Sequence, residues 1–179
     1  MRTGMLVAVG FAIFLPTVSF AQQSASAAPT KAPVEIGQLK PLFGGTFKCK
    51  GKDFASAFGP EHATRLIFTG SRELDGFWYV VLGAEEKTAV NPTPGKFRAA
   101  FGYDTASKKF VSIGIDNLGG HWIETADTVS ADKAVFTGTY TLNGTDYNPR
   151  DTYTPTGHVG ELQVGGEWKK IDEETCAKK

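Results

Sequence analysis

Three histidines, His62, His121 and His158, are the side chains best suited to hold a metal ion or a haem. None belongs to a His-x-His or His-x3-His pair. His121 and Glu124 stand three apart, a spacing that sends them to opposite faces of a strand. A zinc site would have to gather ligands from distant strands, so no metal is assigned. One histidine suffices for haem iron. A single axial ligand inside a barrel, His158 or His121, is the alternative to having no cofactor. Nucleophilic chemistry finds no footing: there is no Gly-x-Ser-x-Gly elbow, no His-Glu-x-x-His helix and no phosphate-cradling glycine loop. Asp116 and Glu124 flank the turn at Asn117 and could face one another, but acids at strand ends are usually solvated. Asp172-Glu173-Glu174 reads as a charged tail, and no Asp orients His121 towards Ser112. No catalytic residue is assigned.

The two cysteines, Cys49 and Cys176, lie 127 residues apart. Two free thiols or a metal pair are the rival readings, and the second lacks nearby Cys or His partners. An even count in an exported chain favours one intramolecular disulfide. Export is read from residues 1–21. Arg2 is their only charge, Met5 to Leu15 is an apolar run, and small residues precede a cut after Ala21. A bilayer span needs about 20 apolar residues, so the run reads as a secretory signal rather than an anchor, with no stable membrane span after cleavage. No Cys follows it to take a lipid. The expected location is periplasmic or secreted.

Residues 22–33 (QQSASAAPTKAP) read as a flexible leader, and residues 34–179 as a single domain. Lys plus Arg equals Asp plus Glu at 19 each, which leaves no basic surplus to recruit nucleic acid.

From Thr46 onward the pattern is strand, turn, strand. Leu74-Asp75-Gly76 and Asn143-Gly144 are hairpin signals, and segments such as Phe97–Tyr103 and Phe110–Asp116 alternate. Val111, Ile113 and Ile115 share one face of the latter, Ser112, Gly114 and Asp116 the other. Val34 to Phe43 makes a short helical turn limited by Pro41. About ten short strands with regular turns predict an all-β fold, an antiparallel up-and-down barrel, because closure removes exposed edges.

Several pieces in order resemble a family of exported bacterial domains of unknown function, the one numbered 1579, grouped with lipocalin-like barrels. They are Leu42-Phe43-Gly44-Gly45-Thr46-Phe47, Glu73-Leu74-Asp75-Gly76, Gly102-Tyr103-Asp104 with Lys109-Phe110-Val111, and Ile115-Asp116-Asn117-Leu118-Gly119. Phe47 stands where the pattern has a Trp. The resemblance implies an antiparallel barrel and brings no reaction or catalytic residues with it.

A barrel of this size encloses more space than side chains readily fill. The expected function is to bind a small apolar or amphipathic molecule inside. Candidate lining residues are Phe68, Trp78, Val80, Phe101, Ile113, Trp122, Phe136, Tyr140 and Tyr153. The alternative is a non-catalytic structural or interaction domain of the cell envelope with a filled barrel, acting through its surface or through the long loop Glu85 to Lys96. A monomer or weak dimer is expected in either case.

Overall fold

The computed structural model describes residues 29–179. The expected signal, residues 1–21, lies outside the described residues, as does the leader up to residue 28. A 3-10 segment, Val34–Leu39, passes directly into α1 (Lys40–Phe43). Pro41 sits in the first turn of α1, where its missing N–H leaves no bond unmade.

Eleven strands follow. They are β1 (Gly45–Asp53), β2 (His62–Glu73), β3 (Trp78–Glu85), β4 (Lys96–Asp104), β5 (Lys109–Asp116) and β6 (His121–Ala126), then β7 (Ala134–Leu142), β8 (Thr145–Tyr147), β9 (Pro149–Thr154), β10 (Gly157–Val164) and β11 (Glu167–Lys178). Every neighbour pair is antiparallel, in the order β6-β5-β4-β3-β2-β1-β11-β10-β9-β7, and a β6–β7 pairing closes the ring. The short β8 pairs only with the far end of β7, through the Asn143-Gly144 turn. Both residues of that turn have positive φ, 52° and 75°, as a two-residue hairpin requires. The result is the closed ten-stranded antiparallel barrel that the turn spacing predicts.

Closure joins the chain's two ends. The first strand, β1, pairs with the last, β11, with Cys49 directly opposite Cys176. The two are disulfide-bonded across a Cα–Cα distance of 4.0 Å. This pairing carries β11 to Lys178, through the run Asp172-Glu173-Glu174. Asp172 and Glu174 are thus strand residues with partly covered positions, while Glu173 between them is exposed. The charged-tail reading of this run is corrected by ladder pairing.

One end of the barrel is plugged by the helical segment. Ile36, Leu39, Leu42 and Phe43 are all buried. Phe43 stacks on Phe101 with ring centroids 3.8 Å apart and meets Tyr153 edge-on at 5.0 Å. Phe136, fully buried, packs edge-on against Phe101 and Tyr153. These aromatics form a solid floor.

Strand faces follow a less familiar rule. On β5 the buried positions are Phe110, Ser112 and Gly114, whereas Ile113 and Ile115 are exposed. On β3 the buried positions are Tyr79, Val81 and Gly83. The aliphatic stripe of β5 therefore lies on the outer wall, and the inner row runs from Phe110 through Ser112 to Gly114, whose missing side chain leaves room for the Trp122 ring.

The disulfide closes a loop of 127 residues, for which the chain-entropy model gives about 4–5 kcal/mol of stabilisation. Urea unfolding of the Cys49→Ser/Cys176→Ser double variant should show a loss on that scale with the strand signature in circular dichroism retained. An unchanged midpoint would mean that the bridge contributes nothing to holding β1 against β11.

Candidate functional site

Above the aromatic floor the barrel is hollow. A cavity of about 350 Å³ reaches from Phe43, Phe101 and Tyr153 to a mouth near Phe58, Gly95 and Leu118. Its wall has two chemistries. Phe47, Leu66, Phe68, Val81, Ala99 and Phe97 make an apolar side from β1 to β4. Facing them are Glu124 from β6, Asp151 from β9, His158 from β10, and Asp172 and Glu174 from β11, while Asp53 and Glu85 end β1 and β3 nearer the mouth.

Local backbone devices aim these groups. At β10–β11 the register shifts between Gly160 and Glu161, which leaves Ile171 as an extra residue, and such a bulge re-aims the side chains beside it. Gly160 leaves room for the Asp172 carboxylate, which a Cβ there would strike, and its N–H donates to Asp172 Oδ1 at 3.1 Å. Across the barrel, Gly114 leaves room for the Trp122 ring. Trp122 Nε1 then donates to Ser112 Oγ at 2.9 Å.

His158 is the hub of the polar side. Its Nε2 lies 2.9 Å from Asp151 Oδ1, and its Nδ1 lies 3.0 Å from both Asp172 Oδ1 and Glu174 Oε2. Its ring also stacks on Tyr153 at 4.6 Å. Burial opposes the imidazolium, but the surrounding Asp172 and Asp151 carboxylates outweigh it and hold His158 well above the usual histidine range. Glu174 is raised, first by burial, with His158 pulling the other way.

Glu124 is the most deeply placed acid, 2% exposed, and its Oε1 has no hydrogen-bond partner. Burial and the neighbouring Asp151 carboxylate push it up to about 10, against a smaller pull from His158 and Ser112. It is a neutral acid at pH 7. Asp53 is pushed up to about 7 by burial and by Glu85 and Asp172.

The mouth is tied rather than open-ended. Glu85 Oε2 accepts from Asn91 Nδ2 at 2.8 Å and from the Gly95 N–H at 2.7 Å, pinning the long loop between β3 and β4. Asn117 Oδ1 accepts from the Lys96 N–H at 2.7 Å, and Asn117 Nδ2 donates to the Pro94 carbonyl at 3.2 Å. Asp116 is spent on its own turn, accepting from the Leu118 and Gly120 N–H groups at 2.8 and 2.9 Å, and from Tyr140 Oη at 2.8 Å. It does not work as a pair with Glu124.

Of the expected lining residues, Phe68, Phe101, Trp122, Tyr140 and Tyr153 lie on the cavity wall. Ile113, Trp78 and Val80 belong to the alternating positions that face away from it. Phe136 lies in the sealed floor. His121 is exposed, and both nitrogens of His158 are engaged by carboxylates, so neither presents a free nitrogen to the cavity as arranged here. The distant-strand gathering that a metal site would need does occur twice: Asp53, His62 and Glu85, and again His158, Asp172 and Glu174, bring ligand-type atoms within 4.8 Å of one another.

Neither a protein-family model nor a curated protein matches the chain. Among solved structures it is similar to the crystal structure of Rv2717c from M. tuberculosis. The TM-score is 0.60 at 11% identity, over 83% of this chain and 99% of that one. At that identity the likeness shows the barrel fold alone.

The acids make stability fall with rising pH. Glu124 binds a proton in the folded state from its ordinary value of 4.5 up to about 10. Its contribution is therefore fully present below 4.5 and lost as pH rises through 10. His158, raised above 6.5, contributes in the same direction, with its stabilisation lost as pH climbs through its folded value. Urea midpoints should drop between pH 7 and pH 10, and Glu124→Gln, which cannot ionise, should flatten that drop. An equal drop in the variant would show that Glu124 is not the group responsible.

Proposed function

We propose that this protein is an exported binding barrel that holds one small amphipathic molecule in its interior. The observation that carries this reading is the two-sided cavity, about 350 Å³, with aromatic and aliphatic groups on one wall and carboxyls and an imidazole on the other. Ligand pockets commonly combine a mostly apolar lining with a few placed polar groups. A purely greasy molecule would leave the polar wall unsolvated, which is costly, whereas an amphipathic one satisfies both sides. Export is supported by residues 1–21 and by the Cys49–Cys176 bridge, since disulfides persist in oxidising compartments. Kinship with the exported family numbered 1579 rests on the ordered motifs around Phe43, Asp75, Tyr103 and Asn117.

A second reading, an interaction domain acting through its outer wall, draws on one observation. Val80, Ala100, Ile113 and Ile123 stand in register across β3, β4, β5 and β6, with Ile113 and Ile123 42% and 58% exposed. Contiguous exposed apolar surface of this kind is a feature of association sites.

N-phenyl-1-naphthylamine, whose fluorescence rises in apolar surroundings, separates the two. Saturable binding of one probe per chain is expected. Leu66→Trp, which fills the apolar side, should weaken it by about tenfold or more, the equivalent of one large lost contact. Native mass spectrometry of the same sample reads the second reading. A bare monomer that takes up no probe would sink the cavity, and a probe-free dimer dispersed by Ile113→Asp would favour the outer wall.

A further inference from the structure

The cavity is one-sided in charge. Carboxyl groups of Asp53, Glu85, Asp116, Glu124, Asp151, Asp172 and Glu174 line it. Among the described residues that line it, the cationic side chains are Lys96, exposed at the mouth, and His158. His158 is consumed internally, with both ring nitrogens already against Asp151, Asp172 and Glu174. An anionic ligand would thus enter a field of its own sign with no free cation at depth.

A second observation is independent of that charge count. Glu124 is 2% exposed, lines the cavity, and its Oε1 has no donor. Buried acceptors are nearly always satisfied, and an exception calls for an explanation. Ser112, beside it, accepts from Trp122 Nε1 and keeps its own O–H, yet Oε1 is left without a partner in this arrangement. A donor on a molecule filling the space would satisfy it.

We propose that the cavity takes a protonated amine carried on a flat apolar body, its N–H set on the free oxygen of Glu124 with the Asp151 carboxylate beside it. The apolar body lies against Phe68, Phe97 and Trp122, which share the cavity lining with this pair, Trp122 from the next inward position of the same strand as Glu124. Aromatic faces also attract cations, so an ammonium group is favoured on its approach as well as at its seat. The proposal rests on the reading of the barrel as a binding protein and specifies what it binds.

Three probes that share one ring system test it: 1-naphthylmethylamine, 1-naphthylmethanol and 1-naphthylacetate, titrated calorimetrically into the disulfide-bonded protein at pH 7. Hydrogen bonds to charged groups are about twice as strong as neutral ones, so the amine should bind about tenfold tighter than the alcohol, with the acetate weakest. Asp151→Asn should remove most of the amine's advantage. Glu124→Met, which deletes the acceptor, should weaken amine and alcohol alike by about tenfold. Circular dichroism checks that each variant is folded, and should Asp151→Asn unfold, the wild-type ratio and Glu124→Met decide. If the alcohol or the acetate equals the amine in the wild-type protein, the amine proposal falls while the binding reading stands. If no probe binds, both fall.

Discussion

Removing an ionised carboxylate from water costs several kcal/mol unless a proton or a partner compensates it, and this barrel places seven carboxyl groups around one interior space. The interior answers in two ways. His158 sits among Asp151, Asp172 and Glu174 at hydrogen-bonding distance, so one imidazolium offsets several acids. Glu124 keeps its proton. Both devices depend on strands being held in register: Asp151, His158, Asp172 and Glu174 come from the successive strands β9, β10 and β11, and Glu124 is brought beside them from β6 by the β6–β7 and β7–β9 ladders. A loosened barrel would let water reach these groups and dissolve the reason for their pairing.

Closure is therefore what the polar interior rests upon, and it is achieved twice. The β6–β7 ladder completes the ring on one side. On the other, β1 and β11 pair along seven registered positions, with the Cys49–Cys176 bridge among them. Glu174 lies two residues from Cys176, on the same face of β11. The covalent tie thus stands next to the charged cluster and limits local opening where it would be most damaging.

Much of this was legible in the chain and some was not, for reasons that residues make plain. Asn143-Gly144 and the regular turn spacing announce hairpins, and two cysteines near the domain's ends announce a bridge between its first and last strands. Which face of a strand looks inward was harder. Period-two alternation gives two faces without saying which is inside, and on β5 the aliphatic Ile113 and Ile115 lie outside while Ser112 and Gly114 lie inside. The usual rule that apolar groups go in assigns that strand backwards, and on β3 both faces carry apolar groups, so alternation does not separate Tyr79 and Val81, inside, from Trp78 and Val80. The carboxylate–imidazole cluster left no motif of fixed spacing, because His158 meets Asp151 and Glu174 through the ladders of two successive hairpins, β9–β10 and β10–β11. A hint was present in Asp172-Glu173-Glu174: alternation within a strand would send Asp172 and Glu174 to one side and Glu173 to the other.

The void itself follows from geometry more than from any particular side chain. Ring radius grows with strand number, and ten strands enclose more than the side chains of an eight-stranded barrel would fill. At the floor the extra width is taken up by the helical segment, whose Phe43 supplies a ring between Phe101 and Tyr153. The long loop after β3 does not descend from the mouth, because Glu85 and Asn117 tie it back. The upper interior therefore cannot collapse without breaking the ladders that define the ring. Nor can apolar side chains grow into it at little cost, since one wall already carries acids that need polar company. A closed ring of fixed radius, plugged at one end and lined by mismatched walls, holds open a space that an amphipathic guest can fill.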